Sequence, residues 1–88
     1  MREYQGHRSW NAWNVSLYIS NEYHLYRMVM DFYHQARNLG RSHERAIIMA
    51  ANAFMRRLGG TRTPDGAIYN GLCVRLAIAD LVEDCADE

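Results

Sequence analysis

The chain has 88 residues, 49% of them apolar, and its ten basic and ten acidic residues give a net charge of zero. This composition is typical of one small globular domain and excludes a disordered or a broadly basic protein. No apolar run approaches the roughly 18 residues that span a bilayer, and the first ten residues lack the apolar block of a signal peptide. We therefore expect a cytoplasmic protein with no contact to a membrane.

The first predicted helix covers residues 10–20, with Ser9 as its N-cap. Its apolar residues fall on two sides, with Trp10, Trp13 and Leu17 on one and Ala12, Val15 and Ile19 on the other. Because a helix that is apolar on two sides usually packs between neighbours, we expect both tryptophans in the core. The alternation in "NVSLYIS" leaves a strand as the alternative.

The second predicted helix covers residues 22–39, with Asn21 as its N-cap, Glu22 in its first turn and Gly40 as its C-terminal stop. Arg27 and Asp31 are spaced to form an ion pair on its outer side. The predicted core stripe consists of Leu25, Val29, Phe32, Ala36 and Leu39.

The third predicted helix covers residues 43–58, from a Ser42 cap to the glycine pair 59–60. Its predicted buried face consists of Ile47, Ala50, Ala51, Phe54 and Leu58. The loop 59–66 contains the turn-forming residues Pro64 and Asp65. A fourth helix should begin between residues 66 and 71 and end near Cys85. Its predicted core residues are Leu72, Val74, Ile78, Leu81 and Val82.

Four helices with short connections predict an all-α fold, a single-domain bundle that spans residues 1–88. We expect residues 1–8 to form an N-terminal arm and residues 85–88 a frayed tail, because acidic residues are unfavourable at a helix C-terminus.

The sequence contains no arrangement of residues that is typical of catalysis or of metal binding. The histidines at 7, 24, 34 and 43 have no ligand spacing to one another or to Cys73 and Cys85. The glycines fit no phosphate-binding loop. We therefore expect a protein that is not an enzyme and that has no catalytic residue, no metal and no cofactor.

Charge is distributed unevenly along the chain. Residues 37–62 contain six arginines and one glutamate, for a net charge of +5, and residues 63–88 have a net charge of −5. On the third helix, helical spacing aligns Arg45, Met49, Asn52 and Arg56 opposite the buried face. This stripe could lie in a major groove of nucleic acid or against an acidic partner. Alternatively, it is a solvated face neutralised by the acidic C-terminus.

Beside the core stripe of the second helix lie Tyr23, Tyr26, Met30, Tyr33 and Arg37. We call these five residues the tyrosine edge. Tyrosine, methionine and arginine are enriched at protein interfaces, so the edge is a candidate partner-binding surface. A half-buried border of the core would have the same composition.

Two segments resemble landmarks of a family of small, mostly uncharacterised phage and plasmid proteins. The run "SWNAWNVSLYISNEYHLYRMV" matches its N-terminal signature at Trp13, Asn14, Leu17, Tyr18, Asn21, Glu22, Leu25 and Tyr26. The segment "GTRTPDGAIYN" is similar to the loop before the last helix of that family. The chain departs from the signature at Asn11 and Ala12, where the family usually has an acid and a threonine. Tyr18 matches the signature as an aromatic residue but stands where the family usually has a tryptophan.

The resemblance implies a phage or mobile-element origin. Small proteins of such elements often bind and block a host machine, as anti-CRISPR proteins do, and this needs only a rigid scaffold with a few anchor residues. Our leading hypothesis is therefore an inhibitor that binds a host protein or nucleoprotein defence complex. The alternatives are a nucleic-acid-binding regulator that uses the third helix and a homo-oligomeric accessory protein, for example a homodimer through the tyrosine edge.

Overall fold

A computed structural model describes the chain from residue 9 to residue 86, and the side chains as far as residue 83. It contains four α-helices: α1 Trp10–Asn21, α2 Tyr23–Asn38, α3 His43–Leu58 and α4 Gly71–Ala86. The predicted all-α fold is confirmed. The predicted N-terminal arm and residues 87–88 of the predicted tail lie outside the described residues. Helix α4 includes residues 85 and 86, so it extends one residue beyond the predicted end near Cys85.

The four helices form a closed ring. Helix α2 packs against α1 and α3, and α4 completes the ring by packing against α3 and α1. Phe54 of α3 is fully buried at the centre, together with Ile19 of α1 and Ile78 of α4. Its ring meets Tyr69 edge to face, with the ring centroids 5.3 Å apart. This packing forms one core that all four helices share.

Helix α1 begins at the predicted cap, since the Oγ of Ser9 accepts the backbone N–H of Ala12 at 3.1 Å. Its end differs from the prediction. Asn21 is the last residue of α1 rather than a cap, and Glu22 alone separates α1 from α2. The N–H of Glu22 bonds to the carbonyl of Tyr18 at 2.9 Å, while its own carbonyl accepts the N–H of Tyr26 at 2.9 Å. One extended residue thus serves both helices.

The prediction that both tryptophans belong to the core is wrong for Trp10, whose side chain is 39% exposed. Trp13 and Leu17, on the same side of the helix, are only half-buried. The ring places the main packing partners of α1 on the opposite side, where the smaller Ala12 and Val15 admit close approach. Size alone therefore did not decide which side of α1 is buried.

Helix α2 ends at the predicted glycine. Gly40 has φ 89°, its N–H bonds to the carbonyl of Arg37 at 2.9 Å, and the N–H of Arg41 bonds to that of Ala36 at 3.1 Å. These two bonds define a Schellman motif, which needs the left-handed conformation that glycine adopts without strain. Leu39, predicted to be core, is the C-cap residue of α2 just before this glycine and is 69% exposed.

Helix α3 has the predicted bounds and the predicted cap, with the Oγ of Ser42 accepting the N–H of Arg45 at 3.1 Å. Its predicted face is buried, apart from the half-buried Leu58. Helix α4 begins at Gly71, with Val74, Ile78 and Val82 in the core. Leu72, predicted to be core, is 44% exposed in the first turn of α4.

Candidate binding surfaces

The tyrosine edge is not a continuous exposed surface. Met30 and Tyr33 are buried in the core cluster, and Tyr26 packs against that cluster. The hydroxyl of Tyr33 lies 2.8 Å from Nδ1 of His43, so its polar end has a partner inside the protein. Only Tyr23 and Arg37 are exposed. Burial removes Met30 and Tyr33 from the surface that a partner can reach, and binding through Tyr23, Tyr26 and Arg37 stays a prediction.

The predicted stripe on α3 is exposed. Arg45, Asn52 and Arg56 are all exposed, while Met49, between them, is half-buried against the core. The rise of 1.5 Å per residue places Arg45 and Arg56 about 16 Å apart along the helix axis. We call the side chains of Arg45, Asn52 and Arg56 the arginine face.

An apolar groove of about 200 Å³ borders the arginine face where α2 packs on α3. The lining residues are Phe32, Gln35, Ala36, Leu39, Met49, Ala53 and Arg56. Above one wall, the guanidinium carbon of Arg57 lies 5.5 Å from the ring centroid of Phe32, within cation–π range. We call this feature the α2–α3 groove; it combines the exposed Leu39 and the half-buried Phe32 and Met49 with positive charge.

The acidic residues closest in sequence to the α2–α3 groove belong to other features of the surface. Asp31 pairs with Arg27 at 3.4 Å on the outer side of α2. Glu44 and Glu83 instead line a second groove of about 490 Å³ between α3 and α4, together with Arg75. Helical spacing places this second groove on a different side of α3 from the arginine face. The positive charge of the α2–α3 groove is thus offset by no carboxylate among its lining residues.

A third feature is the loop 59–70, which is held against α1 by hydrogen bonds of a buried asparagine side chain. Asn14 is 1% exposed, and its Oδ1 accepts the hydroxyl of Thr63 at 2.6 Å while its Nδ2 donates to Oδ2 of Asp65 at 2.9 Å. The Oγ1 of Thr63 also accepts the N–H of Ala67 at 3.0 Å. The structure thus joins the two segments that carry the family resemblance, so these residues stabilise the fold.

Asn11 makes a second attachment one helical turn away. Its Oδ1 accepts the N–H of Ile68 at 2.8 Å and its Nδ2 donates to the carbonyl of Ile68 at 2.9 Å, so one side chain satisfies both polar groups of that residue. Its Nδ2 also lies 3.3 Å from Sγ of the buried Cys73 at the start of α4. Sequence reasoning missed both attachments, although two asparagines within an apolar helix are unusual enough to suggest them.

Two tyrosines beside this loop have perturbed acidity. Burial, followed by the neighbouring Asp65 carboxylate, raises the pKa of the Tyr18 phenol. Burial also raises the pKa of Tyr69, with smaller effects from Tyr18 and Glu22. Both shifts favour the neutral phenol, as expected for tyrosines beside a carboxylate or within a core. They accompany the packing of the loop onto α1.

Among the described residues, no three histidine, cysteine or acidic side chains are placed to share a metal ion. The described helices include none that is long and apolar enough to cross a membrane.

The structure defines a class of protein: a small all-α domain whose loop is bonded to its first helix and whose arginine face borders an apolar groove. The chain belongs to the family of unknown function DUF7249, whose model matches residues 1–88. No curated protein and no solved structure matches it.

Proposed function

We propose that this protein is a binding protein without catalytic activity, encoded by a phage or another mobile element, that inhibits a host defence complex in the manner of anti-CRISPR proteins. The origin rests on the resemblance of two sequence segments. The mode of action rests on one observation: the arginine face lies beside an exposed apolar groove on a well-packed scaffold.

Arginine, methionine and aromatic side chains are enriched in protein interfaces, and a few such anchors in desolvated pockets supply most of the binding energy. A rigid helical scaffold supports such a surface because binding then orders few additional groups. Arg45, Arg56 and the groove rim supply both kinds of side chain. An inhibitor of this type would act by covering a surface of its target.

The test is a pull-down of the tagged protein from host lysate, with and without nuclease, read by mass spectrometry. The proposal predicts a stoichiometric host complex that survives nuclease and that is lost with the double variant Arg45→Glu and Arg56→Glu. A control is Arg27→Glu, which reverses an exposed arginine on the outer side of α2 and removes its pair with Asp31. If the wild-type protein recovers no such complex, the proposed function is wrong.

Nucleic-acid binding is the second candidate, because Arg45, Asn52 and Arg56 are the residue types that read bases and phosphates, and all three are exposed on one helix. It predicts that nuclease removes the captured material. It also predicts an affinity for duplex DNA that falls steeply with salt and is lost in the same double variant.

The homo-oligomer hypothesis rested on the tyrosine edge, of which Met30 and Tyr33 are buried within one chain while Tyr23 and Arg37 are exposed.

A further inference from the structure

The α2–α3 groove has the chemistry of a recognition site for one kind of peptide. We propose that it binds an acidic segment of the partner protein that inserts one large apolar side chain, flanked by carboxylates. This inference rests on the proposed function, since it specifies what the inhibitor recognises on its target.

The size of the groove sets the size of the anchor. An apolar cavity of about 150 Å³ is large enough for benzene. The groove, at about 200 Å³, therefore holds one phenylalanine, leucine or tryptophan side chain rather than a row of them. Phe32, Met49 and Ala53 supply an apolar lining, and the exposed Leu39 supplies a rim that an apolar anchor would cover.

The positive charge around the groove determines which residues should flank the apolar anchor in the bound peptide. Arg56 is part of the lining, Arg57 lies over the Phe32 ring and Arg45 is one turn from Met49. Because no carboxylate is among the lining residues, an occupant with acidic groups on both sides of its anchor would meet complementary charge. About five extended residues or about eleven helical residues span the 16 Å or so between Arg45 and Arg56.

The apolar lining favours a peptide over nucleic acid. A phosphate backbone would engage the arginines but would leave Leu39 and Phe32 facing charged groups without an apolar partner. A peptide with an apolar anchor would satisfy both parts of the site.

A selection from a displayed library of random twelve-residue peptides tests the inference without any host component. We expect enriched peptides to carry one large apolar residue with aspartate or glutamate within four positions on each side. The variant Leu39→Glu, at an exposed position, should lose them, and Leu72→Glu, the same change at an exposed leucine of α4, should retain them. Circular dichroism establishes that both variants are folded.

The affinity of one selected peptide, measured by fluorescence anisotropy, supplies a second readout. Arg56→Glu should weaken binding by about tenfold or more. Arg75→Glu, in the α3–α4 groove, should leave it unchanged. Failure to enrich acid-flanked anchors, or equal binding by Leu39→Glu, overturns the inference. So does binding of duplex DNA that depends on Arg45 and Arg56 when no peptide is enriched.

The pull-down and the peptide selection test different statements, so one can fail while the other succeeds. A nuclease-resistant host complex together with a failed peptide selection would overturn the groove assignment and leave the proposed function standing. A successful selection with no host complex would do the reverse.

Discussion

Asn14 should be the residue whose loss most weakens the attachment of the loop to α1. The substitution Asn14→Ala removes the acceptor of the Thr63 hydroxyl and the donor to Asp65. A buried donor left without a partner costs about 1–3 kcal/mol, and Thr63 is buried. The bond to Asp65 adds less than a buried charged bond would, because the Asp65 side chain is exposed and water can replace the lost donor. We expect a total loss of about 2–4 kcal/mol.

Such a loss is large for this protein. A domain of 88 residues is stable by about 4–13 kcal/mol, so the variant loses a substantial part of its free energy of unfolding. Urea denaturation followed by circular dichroism at 222 nm measures the change directly. The midpoint of thermal unfolding should fall by about 10–20 °C.

Asn52→Ala is the matched control, since it makes the same chemical change at an exposed helical position. We expect a change within about 0.5 kcal/mol for this control. A double-mutant cycle with Thr63→Val isolates the Asn14–Thr63 bond, with an expected coupling energy of about 1–2 kcal/mol. If Asn14→Ala and Asn52→Ala have the same effect on stability, or if the coupling energy is zero, the buried network does not stabilise the loop as argued.

Three further predictions concern single positions. Gly40→Ala should destabilise by about 1–2 kcal/mol because it forces alanine into the left-handed region, whereas Gly71→Ala, at an open helix start without a positive φ, should be neutral or stabilising in the same urea assay. Because burial and Asp65 raise the pKa of Tyr18 above its usual 10.0, the neutral phenol stabilises the fold below that pH, and this contribution is lost as pH rises through the folded pKa. Tyr18→Phe should therefore lose less stability than wild type as the pH rises above 10.0, and an equal loss would contradict this. Asn11→Ala should lower the free energy of unfolding by about 1 kcal/mol. It should also accelerate hydrogen exchange of the Ile68 amide, which donates to Asn11, and unchanged exchange would contradict this.

The sequence predicted helix ends best where a single cap or glycine residue determines the backbone conformation. The Ser42 cap and the closing glycines defined α3 from His43 to Leu58, and Gly40 defined the Schellman motif after α2. The Asn21 cap failed because Glu22, one residue later, adopts the extended conformation that ends α1 and begins α2. The run Ser20, Asn21, Glu22 offers several equivalent candidates for such a break.

The candidate binding surface was predicted in part. The arginine face followed from helical spacing, because charged side chains opposite a strongly apolar face remain in water. The tyrosine edge was misassigned because Tyr33 and Met30 are large enough to belong to either a core or an interface. Tyr33 is buried with its hydroxyl 2.8 Å from Nδ1 of His43, a residue of α3 that the periodicity of α2 cannot predict as a partner. The α2–α3 groove needs side chains from two helices, so neither helix predicts it alone.

The sequence by itself determined the number and type of elements, most of their ends and the exposed position of the arginine face, because caps, glycines and the 3.6-residue period act within a few residues of the chain. The tertiary structure alone decided which side of α1 is buried, that Trp10 and Leu39 are exposed, and that Asn14 joins Thr63 and Asp65. The partners of Asn14 lie about 50 residues away in the chain, and an apolar or amide side chain is compatible with several environments until packing selects one.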